Sequence, residues 1–447
     1  MQIYYYKDLT SEQIQKLCKR PSFEDPEALE TVKKIYLEIK EGGKEALFNI
    51  TKHLDGYLPE PLVISKEEFS KAEKLLTESE KLAFQKAYRN IEAFHKFQYQ
   101  NLKPAKTIIE ETTLGYFYRP IERAGIYVPG GNALYPSSVL MGVVPAKIAG
   151  VEYVIVITPA NKEGEIHPSV LYCANLAGAD GILKVGGAHG IFAGFLGIGV
   201  KPLEILVGPG NRYVTAAKTL LSATGKVKID QPAGPSEVLI LADLSANPKF
   251  IASDLLSQAE HGSDSIGVLL TDSLVLAENV INEIQTALKT RTRRLEFKQK
   301  SILENSYILI FDSFTKEENG KLIETKSLRD AFHFINEFAP EHLEICMNLY
   351  EDLEDYLKYI QSAGSIFIGR YAPVALGDYY SGANHILPTG GSAKIFSGLG
   401  VETFLKKITW QYTTKEGLRK ALEPIKIMSK IEGLDEEHGN SVEVRFE

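Results

Sequence analysis

The chain has few residues that stabilise or anchor a protein by means other than an ordinary core. Among 447 residues there are three cysteines, one tryptophan and four methionines. Cys18, Cys173 and Cys346 are far apart and odd in number. A disulfide framework is therefore not expected; small buried thiols in a reducing compartment are, with the cytoplasm as the default. No apolar run approaches the roughly 20 residues that span a bilayer. The opening Met-Gln-Ile-Tyr-Tyr-Tyr-Lys has neither the basic nor the apolar region of a secretory signal. Basic excess is also lacking. With 50 Lys and Arg against 58 Asp and Glu, the net charge of -8 argues against a general nucleic-acid or acidic-membrane binder. No complete GxGxxG or P-loop signature is found.

The chain does have hydrophobic residues at 44% and charged residues at 24%, an ordinary soluble composition, over a length that exceeds one core. From Ser11 to about Gln100 the pattern is largely helical. Ser65 with Glu68 reads as a capping box, and Glu73 to Phe97 carries apolar residues at three- and four-residue spacing. After Pro120, short apolar runs alternate with helical stretches. Tyr153 to Thr158, Gly181 to Val185 and Leu203 to Val207 read as strands, with helices at Ser169 to Leu176 and Asn211 to Ser222. A second series has strands at Glu237–Leu241, Ile266–Thr271, Tyr307–Phe311, Leu343–Cys346 and Ser365–Ile368. Its helices include Lys249 to Ala259 and Leu274 to Leu288. Such alternation predicts two α/β units with parallel sheets, each similar to half of a nucleotide-binding fold. The stretch 369–400 reads as ordered loop. Beyond it lie a mixed segment around Trp410 and a helix near Lys415 to Ile431. This tail is too small for its own core, so it is expected to pack on the main body or on a second subunit.

Three polar clusters end in histidine: Gln258 to His261, Pro340-Glu341-His342, and Asp378 to His385. Gln258 and His261, three apart on a helix, can share one metal ion, and imidazole with oxygen donors suits zinc. Asp378 is a candidate third ligand, although a loop aspartate also forms turns. His438, in the polar tail, reads by itself as solvated. Glu341 and His342 stand at a strand entrance after a helix-ending proline, a pair able to activate water and accept a proton. Gly208-Pro209-Gly210-Asn211 follows a strand and opens a helix, which suits a phosphate; a plain tight turn is the competing reading. Tyr127-Val128-Pro129-Gly130-Gly131 is a second glycine-rich loop.

Together the segments resemble the histidinol dehydrogenase family. The resemblance rests on residues 127 to 131, Val-Gly-Gly-Ala at 185 to 188, Gly-Pro-Gly-Asn at 208 to 211 and Asp230 to Glu237. It continues through Gln258 to His261, Ala339 to Leu343, Gly377 to Thr389 and Glu432-Gly433-Leu434. It covers Arg119 to the C-terminus in order and approximate spacing, and the first hundred residues more loosely. It implies zinc-dependent oxidation of L-histidinol to L-histidine through the aldehyde, with two NAD reduced. It also implies an intertwined homodimer with shared sites and one zinc per subunit. The implied metal ligands are Gln258, His261, Asp378 and His438, the last from the partner subunit. Glu341 and His342 are the implied acid-base pair, and Ser236, His385 and Glu432 further substrate contacts beside His342 and the metal ligands. Tyr127, His189 and Asn211 are the implied NAD contacts. Two departures stand out: His189 occupies a position where relatives have glutamine, and one extra residue separates Glu432 from His438. The organisation expected is an N-terminal arm at 1–25 and one Rossmann-like unit from 26–119 with 237–376. A second such unit is expected at 120–236, with an extension at 377–447 packing on the partner. The competing readings are a related zinc dehydrogenase of another polyol, a zinc hydrolase and a non-catalytic homologue.

Overall fold

The computed structural model describes all residues except 21–24, 131–133, 232–233, 319–320 and 349–352. Gly131, Pro232 and Ala233 of the motifs above thus lie outside the described residues.

Two six-stranded sheets organise the chain. The first has the order Val63–Ser65, Gly181–Leu183, Tyr153–Ile157, Arg123–Tyr127, Ile205–Val207, Lys228–Ile229. All its strands are parallel except Val63–Ser65. The second is wholly parallel, in the order Gln2–Tyr5, Tyr307–Ile310, Ile266–Thr271, Glu237–Ala242, His342–Cys346, Ser365–Ile368. The central strands are apolar almost without break and buried along their length, as sheets covered by helices on both faces require. Apart from the edge strands Val63–Ser65 and Gln2–Tyr5, which come first in the chain, each sheet starts from a central strand, builds outward on one side and then returns to build on the other. The first sheet reverses between Arg123–Tyr127 and Ile205–Val207, and the second between Glu237–Ala242 and His342–Cys346. Such reversals leave a crevice beyond the carboxyl ends of the two strands, where ligands of open α/β sheets bind.

The strands and helices of both expected series are present, with ends within a residue or two. Other expectations change. Ser65 makes no side-chain cap; the capping boxes are Thr10 with Gln13 and Thr77 with Glu80. The strand Arg123–Tyr127 and the helix Pro136–Ala149 were not anticipated. That helix is buried on nearly every face and contains Pro145, so it has no amphipathic stripe to betray it. The stretch 369–400 contains a short helix, Val374–Tyr379. Segment 26–119, expected beside the second sheet, packs with the first instead. Val32, Ile39 and Leu47 of helix Pro26–Leu54 share a core with Phe192 and Ala217. Helix Glu78–Asn101 lies on helix Pro136–Ala149. The N-terminal strand and helix Ser11–Cys18 join the second sheet's side.

A separate antiparallel sheet joins Ala105–Ile109, Thr112–Pro120 and Leu405–Thr413. Helix Lys415–Ile431 follows and leaves Ile427, Met428 and Ile431 exposed. Among the described residues no helix is long and apolar enough to cross a membrane.

The loop after helix Val374–Tyr379 is held on helix Glu78–Asn101. The Asn90 amide donates to the Tyr380 carbonyl at 2.6 Å. Gly382 has φ 99°, and a Cβ there would collide with the Asn90 carbonyl. Gly382→Ala should therefore destabilise the protein by about 2 kcal/mol or more, combining left-handed strain with a backbone clash. Denaturant unfolding measures this; an unchanged midpoint would show that the loop does not depend on that contact.

Candidate active site

The carboxyl edge of the first sheet faces the amino edge of the second, and a cavity of about 250 Å³ lies between them. Pro129, Pro209 and Gly210 come from the first edge; Ser236, Glu341 and His342 come from the second. Gln258, His261, Asp378 and His385 complete the polar wall. Three sequence clusters spread over residues 258–385 are thus brought to one opening.

Strand pairing sets the catalytic candidates. Val238 pairs with His342, which puts the backbone of Glu237 beside the turn entering the neighbouring strand. The Glu237 N–H donates to Glu341 Oε2 at 2.8 Å, and the Glu237 carbonyl accepts from His342 Nδ1 at 2.9 Å. A carbonyl only accepts, so Nδ1 carries the ring proton and Nε2 is left with a free lone pair. Nε2 is buried without a hydrogen-bond partner, and Asp378 Oδ1 stands 4.0 Å away. Burial lowers His342 to about 4, so the ring is neutral at physiological pH. Burial also pushes Glu341 well above the ordinary carboxylate range, helped by the charges of Glu237 and Asp378 and opposed by the Glu237 N–H.

The remaining polar groups follow the same pattern. His385 donates from Nδ1 to the Asp378 carbonyl at 3.0 Å and meets the Ser138 hydroxyl through Nε2 at 3.2 Å. It too is lowered to about 4 by burial. His261 is lowered by burial, while Asp378 is raised to about 7 by the same cause. Gln258 is in the last turn of helix Pro248–Ala259, and His261 comes just past its end with its N–H on the Gln258 carbonyl. The cavity therefore gathers three neutral imidazoles and buried carboxyl groups with no cation among them, a donor set that a divalent ion would satisfy. Among the described residues no group of three or more His, Cys, Asp or Glu is by itself arranged to hold a metal ion.

Glu432 and His438 do not line this cavity. Glu432 caps helix Lys415–Ile431, and His438 is in the turn Asp435–Gly439 beyond it; both are exposed. A second cavity of about 420 Å³ shares His261, Tyr135 and Tyr379 with the first and extends outward past Phe84, Leu140 and Arg294.

The expected cofactor positions surround the carboxyl edge of the first sheet without entering the 250 Å³ cavity. The Tyr127 hydroxyl accepts from the Gly187 N–H at 3.0 Å, and burial raises it to about 12. His189 is buried, with Nε2 3.0 Å from Asp55 Oδ2, so this ring atom is already engaged. Asn211 caps helix Arg212–Ser222 by accepting from the N–H groups of Tyr213 and Val214. Gly208 has φ 122°, and a Cβ there would collide with the Tyr127 carbonyl, so only glycine lets the two loops approach.

Further buried residues support the site from behind. Under the Gly208 turn, buried Lys218 donates to the Gly208 carbonyl at 2.8 Å and meets Asp230 Oδ1 at 2.5 Å. Asp230 in turn accepts from the Gly208 N–H at 2.7 Å. Behind the catalytic candidates, Arg20 reaches Glu237 Oε1 at 2.7 Å and stacks over Phe338 at 3.3 Å. A lysine on an apolar helix face and a glutamate opening an apolar strand were available sequence signals for Lys218 and Glu237. Nothing local marks Arg20.

The chain is similar to known proteins over nearly its whole length. The model of the family described as histidinol dehydrogenase matches residues 18–446. A curated histidinol dehydrogenase from Leptospira interrogans is 46% identical over 431 residues, covering 96% of each chain. One from Listeria monocytogenes is 44% identical over 93% of this chain and 92% of its own. The crystal structure of histidinol dehydrogenase from Elizabethkingia anophelis superposes with a TM-score of 0.90 at 36% identity, over 100% of this chain and 98% of that one. With family model, full-length relatives and a solved structure all in agreement, this chain belongs to the histidinol dehydrogenase family.

Proposed function

We propose that the protein oxidises L-histidinol to L-histidine through the aldehyde, with zinc and NAD, as the closing steps of histidine biosynthesis. The observation that carries this reading is the bare, neutral Nε2 of His342, buried at the cavity wall 4.0 Å from Asp378, on a ring whose Nδ1 stands 3.5 Å from Glu341. An alcohol oxidation needs a base that is unprotonated at neutral pH, and burial provides one.

Gln258, His261 and Asp378 supply an amide oxygen, a neutral imidazole and a carboxylate to one wall, which fits three protein donors to zinc. An ion held by these three residues would orient the substrate and favour its reaction at the carbinol carbon. His342 Nε2 then accepts the alcohol proton as hydride leaves the carbinol carbon. In the second half Glu341 takes a proton from the water that adds to the aldehyde, whose oxygen takes back the proton held on His342. The hydrate then gives a hydroxyl proton to His342 Nε2 and its hydride to the second NAD that the site would hold. The Glu237 N–H favours the carboxylate form of Glu341, and a nearby cation favours it further. Ser236 and His385 line the same cavity as substrate contacts. The glycine-rich edge formed by residues 127–130 and 208–211 is the place for NAD, with Tyr127 and Asn211 shaping it. His189 supports that edge through Asp55, which gives a buried imidazole a role where relatives have glutamine.

In this reading the fourth ligand, His438, and the substrate contact Glu432 come from a second subunit; neither lines the cavity of its own chain. The exposed Ile427, Met428, Ile431 and Leu434 give the tail an apolar surface to bury there. The 420 Å³ cavity beside His261 leaves an approach open.

Three outcomes are expected. His261→Asn and His438→Asn should each lose bound zinc and activity, and mixing and refolding the two should restore about a quarter of the sites. Half of the dimers then pair unlike subunits, and one of the two sites in each is intact. No recovery would mean that both ligands come from one chain. Glu341→Gln should keep its zinc and impair aldehyde oxidation more than alcohol oxidation; equal loss in single-turnover measurements of the two steps would contradict the role given to Glu341. Zinc binding should also strengthen as pH rises. Burial raises Asp378 to about 7, so the folded metal-free site holds a proton that an exposed aspartate would have lost. The metal competes with that proton below about 7 and no longer does above it. The thermal shift on adding zinc should accordingly grow up to that pH and then level. Asp378→Asn should flatten the dependence.

A further inference from the structure

The second sheet has its own reversal, between Glu237–Ala242 and His342–Cys346, and the catalytic cavity uses only the amino ends of those strands. At their carboxyl ends is another cavity, of about 270 Å³. This is the crevice where open parallel sheets bind ligands, and nothing in the reaction above uses it.

Its floor is acidic and its mouth is not. Glu344 is 1% exposed and lines the cavity, and Asp254 from helix Pro248–Ala259 stands beside it. Glu344 Oε1 accepts from the Val374 N–H at 3.1 Å. Glu344 Oε2 is buried with no other donor, and the hydrogen bond between the two carboxyls raises Glu344 and lowers Asp254, so the shared proton sits on Glu344 and Asp254 is the acceptor left for a cation. Burial raises both carboxyls above their ordinary range. Cys346 adds a thiol held protonated by burial, and Phe250 an aromatic wall. Among the described residues these groups form no cluster suited to a metal ion. At the mouth are the exposed Arg370 and Asn247, which caps the positive end of the 12-residue helix Pro248–Ala259.

We propose that this cavity is a second ligand site, taking a small zwitterionic amine with its ammonium on Glu344 and Asp254 and its carboxylate toward Arg370. An ammonium brings three donors to acceptors that the protein leaves short, and the cavity is too roomy for a bare ion alone. The occupant would sit close to the catalytic cavity. Asp254 is one helical turn before Gln258, Glu344 two residues after His342 on the same strand face, and Val374 one turn before Asp378. The proposal does not depend on the identity of the oxidised substrate.

The probe is 4-aminobutanoate, with propylammonium and butanoate as its two halves, titrated calorimetrically at millimolar concentration into the full-length protein. One site per chain is expected for 4-aminobutanoate, weaker binding for propylammonium and none for butanoate. Asp254→Asn should weaken both amines about tenfold or more, as for loss of a hydrogen bond to a charged group. If that variant unfolds, Glu344→Gln, which keeps the acceptor for Val374, reads the same contact. Arg370→Ala should weaken 4-aminobutanoate and spare propylammonium, and His261→Asn should leave binding unchanged. The proposal is overturned if neither amine binds, or if binding survives Glu344→Gln or Asp254→Asn in a folded protein. Binding that disappears with His261→Asn would place the probe in the catalytic cavity and overturn it as well.

Discussion

The peptide unit of Glu237 is the contact on which the site depends. As the first residue of its strand, Glu237 gives its N–H to Glu341 and its carbonyl to His342. Both bonds exist only because Glu237–Ala242 and His342–Cys346 run side by side in parallel register. The carbonyl decides the tautomer of His342, and hence that the lone pair faces the cavity. The side chain of the same glutamate is buried on Arg20, which stacks on Phe338 at the end of the helix leading to Glu341. Removing a partner from this buried pair would leave a charge uncompensated, a loss of about 3–5 kcal/mol in comparable cases. The N-terminal segment is thereby tied to the back of the catalytic strand, and a purely local account of the catalytic pair would miss it.

The two sheets contribute to the site by opposite ends. The first offers its carboxyl edge, where glycine-rich turns follow Tyr127 and Val207 and a buried Lys218–Asp230 pair supports the second turn. The second offers its amino edge, where strands begin rather than end. An amino edge has backbone N–H groups to spare and is well placed to hold carboxylates, as Glu341 shows. This arrangement leaves the second sheet's carboxyl edge outside the catalytic cavity, with an acidic crevice of its own.

Burial acts on the histidines and carboxyl groups of the cavity wall in one sense: it disfavours charge. His261, His342 and His385 are lowered while Glu341 and Asp378 are raised. Such a wall is primed for a cation, since a divalent ion restores the carboxylates and uses the neutral imidazoles as they stand. The tail that carries Glu432 and His438 leaves its apolar side chains uncovered in a single chain, the pattern of an element with a partner elsewhere.

Much of this protein was legible in its sequence. The alternation of strands and helices set the fold class, because buried parallel strands are apolar without break and helices carry caps. The ordered motifs located the cavity wall: Gln258, His261, Glu341, His342, Asp378 and His385 all converge. Helix Pro136–Ala149 escaped notice because a segment buried all round has no periodicity to read. The packing of 26–119 on the first sheet also escaped, because an amphipathic helix reveals its apolar face but not which sheet will cover it. The tautomer of His342, the Arg20–Glu237 and Lys218–Asp230 pairs and the engagement of His189 by Asp55 came only from the tertiary structure. Each joins residues with no local relationship, often a hundred or more positions apart. Strand register and burial decide such contacts, and both are properties of the folded whole rather than of any stretch of chain.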